Sequence, residues 1–132
     1  MRKRTNTPSR CLIAETDQFI AKLLVRFSEE SGFETYLVKE EDDIFAQIHQ
    51  TKPELIILDA EYPGDMIGWE ILRTLKTDSE TNNIKLISCS WMNSSEVQIL
   101  TGELSGYLQK PNITFQGFED VLRSAGILKT TP

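Results

Sequence analysis

Asp59 closes a run of four aliphatic residues, Leu55-Ile56-Ile57-Leu58, with Pro53 before the run and Pro63-Gly64 after it. A short apolar run bounded in this way suits a strand covered on both faces, as in a parallel sheet. A carboxylate at the end of such a strand stands in the crevice where open α/β sheets bind ligands, with its backbone held by the strand behind it. For this stretch taken alone, a turn or helix-capping aspartate is the alternative. Other polar groups fall at equivalent points: Glu15, Thr16 and Asp17 after Cys11–Ala14, Ser90 at the end of Ile84–Ser90, and Lys110 after Gly106–Gln109. Two or three carboxylates together suit a hard cation, and magnesium takes one or two of them plus phosphate oxygens. A hydroxyl and an ammonium could hold the remaining oxygens of a phosphate.

These groups meet only if the elements behind them alternate. Phe19, Ile20, Leu23, Leu24 and Phe27 recur at helical spacing, with Asp17 able to cap the start and Gly32 marking the stop. Thr35 to Val38 reads as a second strand, and Glu40 to Gln50 as a helix with Ile44, Phe45 and Ile48 on one face, ending before Lys52-Pro53. Helix is expected again over Gly68 to Thr77, through Ile71, Leu72 and Leu75, with a polar loop from Asp78 to Asn83. Asn93 with Glu96 forms a capping box that opens a short helix over Val97, Ile99 and Leu100, closed by Gly102. Phe115, Phe118, Val121, Leu122 and Ala125 make the inward stripe of a last helix ending near Gly126. Five alternating units without an internal repeat predict a doubly wound five-stranded parallel sheet with helices on both faces. In the order 2-1-3-4-5 the first, third, fourth and fifth strands are neighbours, so the acids, the hydroxyl and the ammonium converge on one crevice.

A chain of 132 residues is one domain, large enough for a core without metal or disulfide staples. We expect a basic arm over residues 1–9, too polar to order itself, and the folded domain over 10–128. The net charge of -6 argues against nucleic acid as a direct ligand. No apolar run reaches the length of a membrane span or a secretory signal, so no membrane partner and a cytoplasmic location are expected. Cys11 and Cys89 sit inside apolar runs and read as buried free thiols.

Over nearly its whole length, from about Cys11 to Leu128, the chain resembles the receiver domain of bacterial response regulators, with its flavodoxin-like, CheY-like fold. The resemblance rests on Leu58-Asp59 with Pro63-Gly64, on Ser90, and on Tyr107-Leu108-Gln109-Lys110-Pro111. It implies that Asp59 is a phosphoacceptor, its carboxylate the nucleophile of an in-line transfer from a histidine kinase or phosphotransfer protein. Ser90 and Lys110 would bind the phosphoryl group, and Tyr107 would turn inward and change the face read by a downstream protein partner. Glu15, Asp59 and Glu61, with Asp17 as a substitute, would hold Mg2+, weakly. The Lys110-Pro111 bond would be cis.

Two departures qualify what the resemblance implies. Thr16 stands where the family has the second of two adjacent acids, putting a neutral hydroxyl at a metal position. Trp91 replaces a small residue, and it would either gate the approach to Asp59 or simply pack on the loop. The alternative function is therefore a degenerate pseudo-receiver, a protein-binding module independent of phosphorylation. An enzyme is a remote third reading. Asp59-Ala60-Glu61 is only faintly similar to the nucleophile motif of haloacid-dehalogenase-type phosphatases, whose second acid is aspartate and whose motif follows the first strand. A flavin or nucleotide site lacks its glycine-rich loop after the first strand. His49 and Trp69 are expected to have no role in the chemistry.

Overall fold

A computed structural model describes residues 9–39 and 41–128. Ten elements alternate: β1 (Arg10–Ala14), α1 (Gln18–Glu30), β2 (Glu34–Leu37), α2 (Ile44–Thr51), β3 (Leu55–Asp59), α3 (Gly68–Thr77), β4 (Lys85–Ser90), α4 (Ser94–Thr101), β5 (Gly106–Gln109) and α5 (Phe115–Ser124). The strands form one sheet in the order β2-β1-β3-β4-β5, with every adjacent pair parallel. This is the doubly wound sheet expected from the sequence. Of the arm expected over residues 1–9, all but Ser9 lies outside the described residues. No helix among the described residues is long and apolar enough to cross a membrane.

The period of two along each strand divides the core. Leu12, Ala14, Ile56, Leu58 and Leu86 face one way and pack with Ile44 and Ile48 of α2, Ile71, Leu72 and Leu75 of α3, and Val97 of α4. Cys11, Ile13, Leu55, Ile57, Ile87 and Cys89 face the other way, against Ile20 and Leu24 of α1 and Phe118 and Leu122 of α5. All five residues of β3 are buried, since helices cover both of its faces. At about 1.5–3 kcal/mol for each fully buried Leu or Ile, that strand is the main anchor of the sheet. Its register sets Ala14 beside Leu58 and Asp59 beside Cys89, while Ser90 pairs with Gln109. Four strand ends thus finish level on one edge.

Several boundaries and faces differ from expectation. Helix α2 begins at Ile44, because the Asp43 carboxylate accepts the Phe45 amide and stops the helix there; Glu40, its expected start, lies outside the described residues. Phe19 and Ile99, counted among the apolar residues that mark their helices, are 70% and 83% exposed. Each neighbours a buried residue, Ile20 or, two positions back, Val97, and the 100° turn per residue carries it off the buried face. Cys11 and Cys89 are free and buried, separated by β3 as the strand order requires. His49 is exposed, with Nδ1 at 2.9 Å from the Phe45 carbonyl and Nε2 at 3.5 Å from Glu80, far from any role in the crevice.

Candidate functional site

The level strand ends set one buried ammonium among acids. Nζ of Lys110, the residue after β5, donates to Glu15 Oε2 at 2.9 Å and to Asp59 Oδ2 at 3.2 Å. All three side chains are buried. The Lys110 amide donates to the Ser90 carbonyl at 2.8 Å, which ties its backbone to the end of β4. The Lys110-Pro111 peptide is cis, as expected. The other oxygen of Asp59, Oδ1, accepts the Glu61 amide at 2.8 Å. The Asp59 carboxylate is thus held at both oxygens.

A second cluster joins this one through Glu61. The Ser90 hydroxyl donates to Glu61 Oε2 at 2.8 Å and accepts the Met92 amide at 2.9 Å. Oε1 of Glu61 and Oε1 of Glu15 are buried with no hydrogen-bond partner. Burial pushes the pKa of Glu15 up by more than the Lys110 and Asp17 hydrogen bonds pull it down, and the Asp59 charge adds to the rise. Burial likewise raises Glu61, against the pull of the Ser90 hydrogen bond. For Lys110, burial alone would lower the pKa. The Glu15 hydrogen bond and the charges of Asp59 and Glu15 outweigh it and hold the ammonium above the ordinary lysine range. Cys89, next to this cluster, is pushed up by burial and then by the Glu15 charge, so its thiol stays protonated and unreactive.

Two carboxylates, Glu15 and Asp59, therefore hold one ammonium, Glu61 is tied to Asp59 through its amide, and Oε1 of Glu15 and Oε1 of Glu61 lack a hydrogen-bond partner. That donor set fits a hard cation. Among the described residues no three acids, histidines or cysteines stand close enough to enclose a metal ion, so water and phosphate oxygens would have to complete the shell. Asp17 is not brought in. Its carboxylate caps α1 by accepting the Ile20 amide at 3.0 Å, and only its own amide reaches the site, donating to Glu15 Oε2 at 2.9 Å. Thr16 is half-buried at the position where the resemblance expects an acid.

Tyr107 is half-buried against the α3–α4 side of the core, its hydroxyl accepting the Leu104 amide at 2.8 Å. Trp91 is 59% exposed, and its carbonyl accepts from the Gln109 side chain at 3.3 Å. Sequence reasoning missed two features. One is the Glu61–Ser90 bond, signalled only by an acid two residues after Asp59. The other is Gly68, the first residue of α3, which packs on the backbone of Asp59 and Ala60 so closely that a methyl group would overlap the Asp59 carbonyl oxygen.

The family model for the response regulator receiver domain matches residues 11–120. The DNA-binding response regulator MtrA of Mycolicibacterium paratuberculosis is 27% identical over 105 residues, covering 77% of this chain and 44% of that protein. The phosphate regulon transcriptional regulatory protein PhoB of Pseudomonas aeruginosa is 30% identical over 122 residues, covering 91% of this chain and 52% of that protein. The chain spans about half the length of these curated relatives. Among solved structures, the signal receiver domain of a DNA-binding response regulator from Colwellia psychrerythraea superposes with a TM-score of 0.73 at 25% identity, covering 87% of this chain and 95% of that one. Two of these names carry DNA binding, so they do not support the exclusion of nucleic acid drawn from net charge.

Proposed function

Because the chain belongs to the response regulator receiver domain family, and so to two-component signalling, we propose that Asp59 accepts a phosphoryl group from a phosphohistidine of a histidine kinase or phosphotransfer protein. The observation that carries this reading is the Lys110 ammonium on Asp59 Oδ2, with the Ser90 hydroxyl brought in through Glu61 from the neighbouring strand. An Asp59 oxygen attacks phosphorus, the phosphorus–nitrogen bond of the donor breaks, and the electron pair leaves on the imidazole nitrogen, which solvent protonates. A carboxylate nucleophile needs no general base. The protein has only to aim it and offset charge between two anions. Lys110 offsets part of that charge and stays protonated throughout. Glu15 and Asp59 are the residues that would hold Mg2+, which neutralises phosphoryl oxygens when bound, while the Glu61 carboxylate, also expected in that set, is committed to Ser90.

Receiver domains are signalling domains and not classical enzymes, so the output is a surface. Ser90 would follow the phosphoryl group and draw in the Met92 amide bonded to it, moving the β4–α4 loop that carries the exposed Trp91; Tyr107, on the neighbouring strand β5, is bonded to Leu104 beyond the other end of α4. We assign the face near Tyr107 to a downstream protein partner.

Incubation with magnesium and acetyl phosphate should add one base-labile phosphoryl group to the wild type and none to Asp59→Asn, read by mass spectrometry of the intact proteins. Modification of the variant would remove Asp59 as the site. No modification of the wild type, even from a cognate kinase, would favour the pseudo-receiver with a fixed switch, to which Thr16 in place of an acid already points. Thr16→Asp should tighten magnesium binding several-fold, because it adds a carboxylate to the set. The same change should lower the unfolding temperature without metal, by like-charge repulsion. A magnesium titration followed by the fluorescence of Trp91 measures both proteins, and equal affinities would show that Thr16 is not at the metal position.

A further inference from the structure

We propose that Glu61 is a latch, which occupies the phosphoryl-recognition hydroxyl of Ser90 in the resting protein and has to leave before a phosphoryl group on Asp59 can be gripped. This rests on the reading of Asp59 as acceptor and Ser90 as the group that binds the phosphoryl oxygens. A serine hydroxyl has one proton to give. Here it goes to Glu61 Oε2 at 2.8 Å, while a lone pair takes the Met92 amide at 2.9 Å. Ser90 then has no proton left to donate to an incoming phosphoryl oxygen. Glu61 also donates its amide to Asp59 Oδ1 at 2.8 Å, so it grips the acceptor carboxylate with its backbone and the recognition hydroxyl with its side chain. The latch is itself an anion standing where a second anion must arrive.

The contact is built to open. Glu61 Oε1 is buried without a partner, so the closed position carries the cost of a desolvated carboxylate oxygen that the open position returns to water. The residue as a whole is only half-buried, on the loop that leads to Pro63 and Gly64, so the side chain has an outward path. Negative charge arriving on Asp59 repels Glu61 and favours that swing. Once Glu61 leaves, the Ser90 proton is free, and the Met92 amide on the same oxygen couples the event to the start of the β4–α4 loop. Phosphorylation is thereby slowed at rest and tied to loop movement.

Glu61→Ala and the shape-preserving Glu61→Gln would be prepared in wild-type and Ser90→Ala backgrounds. Binding of beryllofluoride, a tetrahedral phosphoryl mimic, would be followed by Trp91 fluorescence with saturating magnesium, beside the acetyl phosphate reaction. The latch requires Glu61→Ala to bind the mimic about tenfold tighter, the ratio that one lost competing charge-assisted hydrogen bond supplies, and to be modified correspondingly faster. Glu61→Gln should fall between Glu61→Ala and wild type, and both gains should vanish in the Ser90→Ala background. Weaker binding in Glu61→Ala, with more magnesium needed for half-saturation, would make Glu61 a metal ligand and overturn the latch. A gain that persists without Ser90 would overturn it too. If Glu61→Ala binds the mimic tighter while no protein takes up phosphoryl from any donor, the latch stands and the acceptor role of Asp59 falls.

Discussion

Gly68→Ala should destabilise the fold by roughly 3 kcal/mol and disable the site at the same time. A methyl group at Gly68 would overlap the Asp59 carbonyl oxygen and come within 2.8 Å of the Ala60 carbonyl carbon and 2.9 Å of its oxygen. All three obstacles are backbone, so no rotamer change relieves them. Nor can the helix slide away: the Gly68 amide donates to the Tyr62 carbonyl and the Trp69 amide to the Ala60 carbonyl, each at 2.9 Å, so the start of α3 is stitched to the turn that follows Asp59. Relief comes by breaking those bonds or by shifting the end of β3, and either course moves Asp59 from Lys110, whose bond at 3.2 Å is already long. Urea unfolding measures the first effect. Loss of beryllofluoride or phosphoryl uptake in the protein that remains folded measures the second. A variant as stable as wild type would show that this backbone has slack the structure does not contain.

What is legible in the sequence is what local interactions decide. Element type was legible because burial imposes a period: five apolar runs too short for helices alternate with stripes at helical spacing, and only a doubly wound parallel sheet uses both. The helix caps Asp17, Asn93 and Gly102 were legible because capping is chemistry within one turn of chain. Asp17 also shows the limit. Its type suited a metal ligand as well as a cap, and only the fold shows the carboxylate bonded to the Ile20 amide. Strand order placed Glu15, Asp59, Ser90 and Lys110 on one edge. It could not say which atoms touch, since the Lys110–Glu15 bond joins residues 95 apart and the Ser90–Glu61 bond residues 29 apart. The exposure of Phe19 and Ile99 was not legible because an apolar residue at the margin of a stripe carries no mark of which side of the margin it falls on.

Lys110→Met should cost about 3–5 kcal/mol at neutral pH, because it leaves Glu15 and Asp59 in a buried place with no cation between them. Methionine fills nearly the same volume, so the loss reports charge and hydrogen bonding more than a cavity. The size of the loss should depend on pH, with a sign the structure fixes. The folded pKa of Lys110 lies above its unfolded value, so its contribution is whole at neutral pH and disappears only as pH rises through the alkaline range above that of an ordinary lysine. Glu15 runs the other way. Its folded pKa is raised, so ionised Glu15 costs nothing in acid, where it is protonated folded or unfolded, and costs progressively more as pH climbs past the ordinary glutamate range. Deleting Lys110 removes the hydrogen bond and charge that pull the Glu15 pKa down, which widens that window. The deficit of Lys110→Met against wild type should therefore be small near pH 4 and grow toward pH 8, as read by urea unfolding at each pH. Adding Glu15→Gln to Lys110→Met should restore part of the stability and flatten the pH dependence. Magnesium should also stabilise Lys110→Met more than wild type, since it returns a positive charge to the same carboxylates. A deficit that is uniform across pH would mean that Lys110 supports the fold through packing alone, and that the ammonium does not organise this site.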